Sequence, residues 1–235
     1  MAELINDRLR RRLRDHGSAP LLTYYNLGTG ERTELSGVTF ANWADKTANL
    51  LVDELMIDRG DQVELAVAVS HPGHWVGLAW ALACWQVGAV VSVGQSTSAR
   101  AVVCGPDWSP YDGVPELVAC SLHPLGLGFT APLPAGVLDY ALEVRGQPDV
   151  YAAVPQSGLA PAWRDDQRQL TQTDLTATPA TGPRRRLVRP GAPWATMSAA
   201  LVEPLLSGGS AVIVAGDADP DQLARIAGDE RVTTD

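Results

Sequence analysis

Lysine is nearly missing from this chain. Lys46 is the only one, and every other basic residue is an arginine. Arginine in place of lysine, beside abundant alanine, is the imprint of a GC-rich genome rather than of a mechanism. Positive charge is also short, with 18 Lys+Arg against 27 Asp+Glu, a net charge of -9 and a pI near 4.9. Nothing in that balance neutralises phosphates broadly, which excludes a nucleic-acid binder. Cysteine is scarce: Cys84, Cys104 and Cys120 are odd in number and lack C-x-x-C spacing. The expected reading is buried free thiols in a reducing compartment, hence a cytoplasmic location. No run of about 18 apolar residues exists, so no membrane span is expected. Repeats, low-complexity linkers and a G-x-S-x-G elbow are absent as well.

What is present suits a soluble globular chain. At 235 residues with 46% hydrophobic and 19% charged content, it can bury a sizeable core, and it is read as one domain over residues 1–235. "MAELINDRLRRRLRDHG" spaces Leu4, Ile5, Leu9 and Leu13 as an amphipathic helix, not as a signal peptide. Leu21–Tyr25, the Gly28-Thr29-Gly30 turn and Arg32–Leu35 read as a hairpin. A helix running to Leu55 follows, with Trp43, Thr47, Leu50 and Leu51 inward. A buried strand is expected over Gln62–Val69, then a helix opened by Ser70 and Pro72 and closed by Gly88. Further core strands are expected at Val90–Val93, Ala101–Cys104, Leu117–Ala119, Val150–Val154 and Ala211–Ala215. Helices are expected over Ala135–Val144, in the polar stretch after Trp163, over "WATMSAALVEPLLSGG" and over "DPDQLARIAGD". Alternating strands and helices give an α/β class with a largely parallel sheet flanked by helices.

Five places invite chemistry. "VPQSGLAPAWRDDQ" follows one expected strand and precedes one expected helix, the order of a phosphate loop. Only Ser157 and Gly158 fit such a loop, while Pro155 and Pro161 bring no amide donors. Leu159 and Trp163 are expected to pack against neighbours, and Asp165 and Asp166 to sit at the start of the next helix. "RRRLVR" offers Arg184, Arg185, Arg186 and Arg189 as a grip for an anion or an acidic partner, against the plainer account of a solvated loop and strand edge. "HPGH" holds His71 and His74, but Pro72 and Gly73 break helical spacing and no third ligand is apparent, so no structural metal is expected. "LLSGGS" follows a helix and precedes a strand, which makes it a helix end and turn. Cys84, beside Trp80 and Trp85, reads as core.

Several stretches together resemble the N-terminal part of the adenylate-forming (AMP-binding) enzymes, which include acyl-CoA synthetases. They are "GERTELSGVTFANWADKTANLL", "RGDQVELAVAVSHPGHWVGLAWALACWQVGAVV", "LVEPLLSGGSAVIV" and "LARIAGDERVTT". The chain most resembles a short actinobacterial family that looks like a truncated synthetase N-terminal region. In the enzymes a Ser/Thr/Gly-rich loop ending in Pro-Lys-Gly stands where "PQSGLAPAW" stands here. The resemblance therefore implies a dismantled phosphate loop with Ser157 and Gly158 as its remnant, and no catalytic residues or cofactor. The family's ribose-binding aspartate, hinge and catalytic lysine all lie beyond the matched region. The expectation is a non-catalytic module for a protein partner or a small acyl or nucleotide ligand. The alternative is a half-enzyme completed by a separate chain.

Overall fold

The computed structural model describes residues 3–94, 98–111, 113–114, 116–177 and 182–233. The chain begins with α1 (Ile5–His16), the hairpin β1 (Pro20–Asn26) and β2 (Glu31–Ser36), and α2 (Gly37–Asp53). Next come β3 (Gln62–Leu65), the single turn α3 (Val67–Ser70), α4 (Trp75–Val87), β4 (Val90–Ser92), β5 (Ala101–Cys104) and β6 (Leu117–Ala119). After these lie β7 (Val137–Asp139), α5 (Tyr140–Glu143), β8 (Pro161–Arg164), β9 (Gln169–Thr171) and α6 (Gln172–Leu175). The last part holds β10 (Arg185–Val188), α7 (Pro193–Met197), a π-helical turn over Ser198–Val202, α8 (Glu203–Ser207), β11 (Ser210–Ala215) and α9 (Pro220–Asp229).

These strands form two sheets. The larger has the order β7-β6-β5-β3-β4-β8-β9, parallel throughout except for the β8–β9 pair. The smaller has the order β10-β11-β1-β2 and is parallel except for the β1–β2 hairpin. The buried strands Val90–Ser92, Ala101–Cys104 and Ser210–Ala215 are nearly continuous apolar runs, as a parallel sheet covered on both faces requires. β3 lies in the middle of the larger sheet, with β4 on one side and β5 on the other.

Helix α4 joins β3 to β4 and is buried at every one of its 13 residues. Its ends are closed from within the chain. At the start, the His74 imidazole accepts a hydrogen bond from the Val76 amide through Nδ1 at 3.2 Å, so His74 is the cap in place of the expected Ser70. At the end, Gly88 takes the left-handed conformation at φ 90° and returns its amide to the Cys84 carbonyl.

Several expectations are corrected here. The strand expected over Gln62–Val69 stops at Leu65, where the chain turns into α3 and leaves Val69 at the surface. Val150–Val154 forms no strand; Val150 and Val154 are 73% and 52% exposed, so an apolar run in sequence did not find a face to bury against. Between Ala135 and Val144 a short strand precedes one helical turn. The polar stretch after Trp163 is the β8–β9 hairpin, not a helix. Asp165 therefore sits in a turn, where it accepts from the Trp163 indole at 2.8 Å and from the Gln167 and Arg168 amides at 2.9 Å each. Trp163 is buried as expected, whereas Leu159 is 83% exposed.

Both ends of α4 yield measurable consequences. A Cβ at Gly88 would meet the Gln156 Oε1 at 2.5 Å, and the positive φ disfavours any side chain there. Gly88→Val is expected to cost about 2 kcal/mol in urea unfolding, and removing the Gln156 side chain should recover only the steric part. Burial holds the His74 imidazole down to about 3, helped by the charge of His71 and opposed by the Leu122 carbonyl. The unfolded imidazole takes its proton near 6.5, so stability falls as pH drops from there toward the folded value. By pH 5 the loss should be about 2 kcal/mol. His74→Asn keeps a capping oxygen and should remove that part of the pH dependence.

Candidate functional site

The loop that drew the eye in the sequence has no strand before it and no helix directly after it. Ser157 and Gly158 lie on irregular chain that runs over the C-terminal end of α4 and meets α1 and α6. Gln156 pins it there, its amide nitrogen donating to the Gln86 and Val87 carbonyls at 3.3 Å each. The Ser157 carbonyl accepts from the Ala160 amide at 3.0 Å, and the Gly158 carbonyl accepts from Thr173 at 2.9 Å. A side chain at Gly158 would meet the Thr173 hydroxyl at 2.4 Å, so glycine is required by close packing on α6. The backbone here is engaged with its own neighbours.

The four arginines do not form one patch. Successive residues of a strand point to opposite faces, and Arg185 and Arg186 on β10 part accordingly. Arg185 turns to the sheet face covered by the end of α9. It donates to the Glu230 carboxylate, to the Glu230 carbonyl at 2.6 Å, to Thr23 at 3.0 Å and to Ser210 at 3.2 Å. Glu230 also receives Arg32 at 2.9 Å and the Tyr25 hydroxyl. Burial alone would raise its carboxyl, but the bonds from Tyr25, Arg185 and Arg32 and the charge of Arg32 leave it below the usual carboxylate range. Arg186 pairs with Glu203 at 2.6 Å, and Arg189 donates to the Gly216 carbonyl at 2.6 Å. Arg184 and Arg185 both line a groove of about 600 Å³, together with Arg12, Arg231 and the carboxylates Asp229 and Glu230. Arg12 is buried and donates to the His16 and Pro20 carbonyls, closing the end of α1. The basic run is thus largely woven into the smaller sheet and its helices.

A crevice of about 390 Å³ opens at the carboxyl ends of β10, β11 and β1, the position at which open α/β sheets hold ligands. Ser70, His71, Arg189 and Asp217 line it. The His71 Nδ1 lies 3.0 Å from the Ser70 hydroxyl oxygen, but that hydroxyl donates to the Ala66 carbonyl at 3.2 Å. The Ala66 carbonyl thus competes with the imidazole for the one hydroxyl proton. His74 is turned from this crevice into the core, 4.8 Å from the Tyr24 ring. Among the described residues no three His, Cys, Asp or Glu side chains gather as a metal site. Cys84, Cys104 and Cys120 are free and buried, and burial raises all three thiols.

Sequence reasoning overlooked Glu64 on the central strand. It is buried and accepts from Ser92 at 2.8 Å and from the Gly94 amide at 2.8 Å, fixing the start of the loop after β4. It also overlooked Asn6 and Arg10, which α1 turns toward the chain around Ser157. Their spacing of four was the available signal, hidden among the many charges of α1.

No model of a known protein family matches the chain. A crystal structure of a Brucella canis acyl-CoA synthetase superposes on 99% of this chain and 47% of its own, with a TM-score of 0.76 at 16% identity. The N-terminal domain of FACL13 from Mycobacterium tuberculosis does so over 98% of this chain and 61% of its own, with a TM-score of 0.71 at 16% identity. The chain therefore spans about half the length of the first of these, and it has the fold of the N-terminal domain of acyl-CoA synthetases. Among the described residues no helix is long and apolar enough to cross a membrane. A curated Mycobacterium tuberculosis protein described as "TIGR03089 family protein" is 34% identical over 235 residues, which cover 94% of this chain and 93% of the relative. The chain belongs to that family.

Proposed function

We propose that this chain is a non-catalytic relative of the AMP-forming acyl-CoA synthetases, kept as a module that binds a protein partner or a small ligand. The observation that carries this reading is the state of the Ser157–Gly158 chain. Its two carbonyls accept from the Ala160 and Thr173 amides, the Ser157 hydroxyl oxygen accepts from the Leu159 amide, and no lysine stands in the loop. Acyl adenylation rests on positioning and on neutralising charge at the α-phosphate. A second reading, a half-enzyme completed by a separate chain, draws on the 47% coverage of the synthetase.

The test is ATP–pyrophosphate exchange with a panel of carboxylic acids, beside calorimetric titration with ATP and magnesium. The isolated chain should show neither turnover nor saturable nucleotide binding. Clear turnover, or micromolar ATP affinity abolished by Ser157→Ala, would overturn the non-catalytic reading. Exchange that appears only with a protein co-purified from the native host would favour the half-enzyme.

A further inference from the structure

Between the first turns of α1 and the chain Ala153–Gly158 lies a cleft of about 470 Å³, within the size range of small-molecule sites. Leu4, Val154 and Pro155 give it an apolar lining and Asn6, Arg10 and Ser157 a polar one, each drawn from both α1 and the facing chain. The polar groups are incompletely used. Arg10 makes no hydrogen bond or ion pair among the described residues, and its charge acts only at longer range on Asp45. The Asn6 Oδ1 is buried and has no hydrogen-bond partner. The Ser157 oxygen accepts from the Leu159 amide at 3.3 Å, which leaves its proton to donate. Asp7 also borders the cleft, but its carboxylate is engaged by the Leu4 amide at 3.1 Å at the start of α1.

Asn6 and Arg10 are four residues apart on one helix. They therefore stand one above the other on the same face, roughly 5–6 Å apart at Cβ. A cation with no direct partner, an unused hydroxyl proton and an unsatisfied acceptor thus line one cleft, with the Asp7 carboxylate at its border. A buried acceptor without a donor is costly, so a ligand that supplies one gains from it. That oxygen is buried as it stands, and exchange of the amide oxygen and nitrogen about the soft terminal torsion of Asn6 would bring it to the opening.

We propose that this cleft binds a small amphipathic carboxylate with an N–H donor beside the carboxylate, the chemistry of an N-acylated apolar amino acid. Arg10 holds the carboxylate, Ser157 donates to its second oxygen, Asn6 accepts the N–H, and the apolar side chain rests on Leu4, Val154 and Pro155. The assignment rests on the ligand-binding module proposed above and names its ligand class.

The experiment is calorimetric titration of the full chain with N-acetyl-leucine. Saturable binding is expected. N-acetyl-leucinamide, which lacks the charge, and isocaproate, which lacks the N–H, should each bind about tenfold more weakly. Arg10 is exposed, so Arg10→Gln should leave the melting temperature unchanged while weakening N-acetyl-leucine about tenfold. Asn6→Leu should bring its affinity down to that of isocaproate. Absence of saturable binding, equal affinity for acid and amide, or indifference to Arg10→Gln would overturn the assignment. If pyrophosphate exchange is silent and N-acetyl-leucine fails to bind, the cleft assignment falls alone. If exchange shows turnover, the non-catalytic reading falls whatever the titration shows.

Discussion

A helix with no polar face dictates much of this architecture. All 13 residues of α4 are buried, and Trp75, Trp80 and Trp85 are among the largest side chains wholly inside the protein. Such a helix is stable only when every side of it is covered. Strands β3 and β4 and helices α1 and α2 all pack on it. The chain before and within β8 closes the rest, where the Trp85 indole donates to the Ala162 carbonyl at 2.9 Å. Truncating one of these rings would leave a void worth about 3–5 kcal/mol. The loop over Gly88 is therefore committed to covering a hydrophobic helix end, a task at odds with opening toward a polyanion.

The two sheets are joined by aromatic contacts, and the smaller one is held to its own last helix by a polar network. On the apolar side, Tyr24 of β1 meets His74 at the head of α4, and Trp163 of β8 lies 5.0 Å from Trp194 of α7. On the polar side, Glu230 gathers Tyr25, Arg32 and Arg185, tying the end of α9 to β1, β2 and β10. A buried network of this kind is costly to break by one member, because the partner charges are left without compensation. It also explains the basic run in an acidic chain, since Arg185 and Arg186 are partnered by specific carboxylates.

Legibility in the sequence followed how local each signal was. The hairpin, α2, α4 with its glycine cap, and the short strands Val90–Ser92, Ala101–Cys104 and Leu117–Ala119 were readable because periodicity and caps are properties of neighbouring residues. Val150–Val154 and Val67–Ser70 were misread because an apolar run does not say whether a sheet has a place for it. The polar stretch after Trp163 reads as helix, although Asp165 makes a hairpin turn there through its own carboxylate. The division into two sheets was not legible, since it depends on pairings between distant segments. At the loop, Ser157 and Gly158 were singled out, but their bonds to Thr173 and Ala160 belong to tertiary packing that no local pattern reports.

The pairing of β1 with β11 sets an order of events in folding. Leu22 lies beside Ala211, so the hairpin is synthesised well before its parallel neighbour. Until Ser210–Ala215 emerges, one edge of β1 has no strand beside it, and Leu22 and Tyr24 have no finished core to enter. Loop closure over such a distance must precede the contacts that reward it, which makes this sheet slow to assemble. The larger sheet draws its strands from the middle of the chain, β3 to β9, and can form while the smaller one waits. An uncapped, apolar strand edge displayed during that wait is a template for association with other chains. The charged return strand Glu31–Ser36 guards only one side of the hairpin, leaving the other to be protected by the speed of synthesis or by a chaperone.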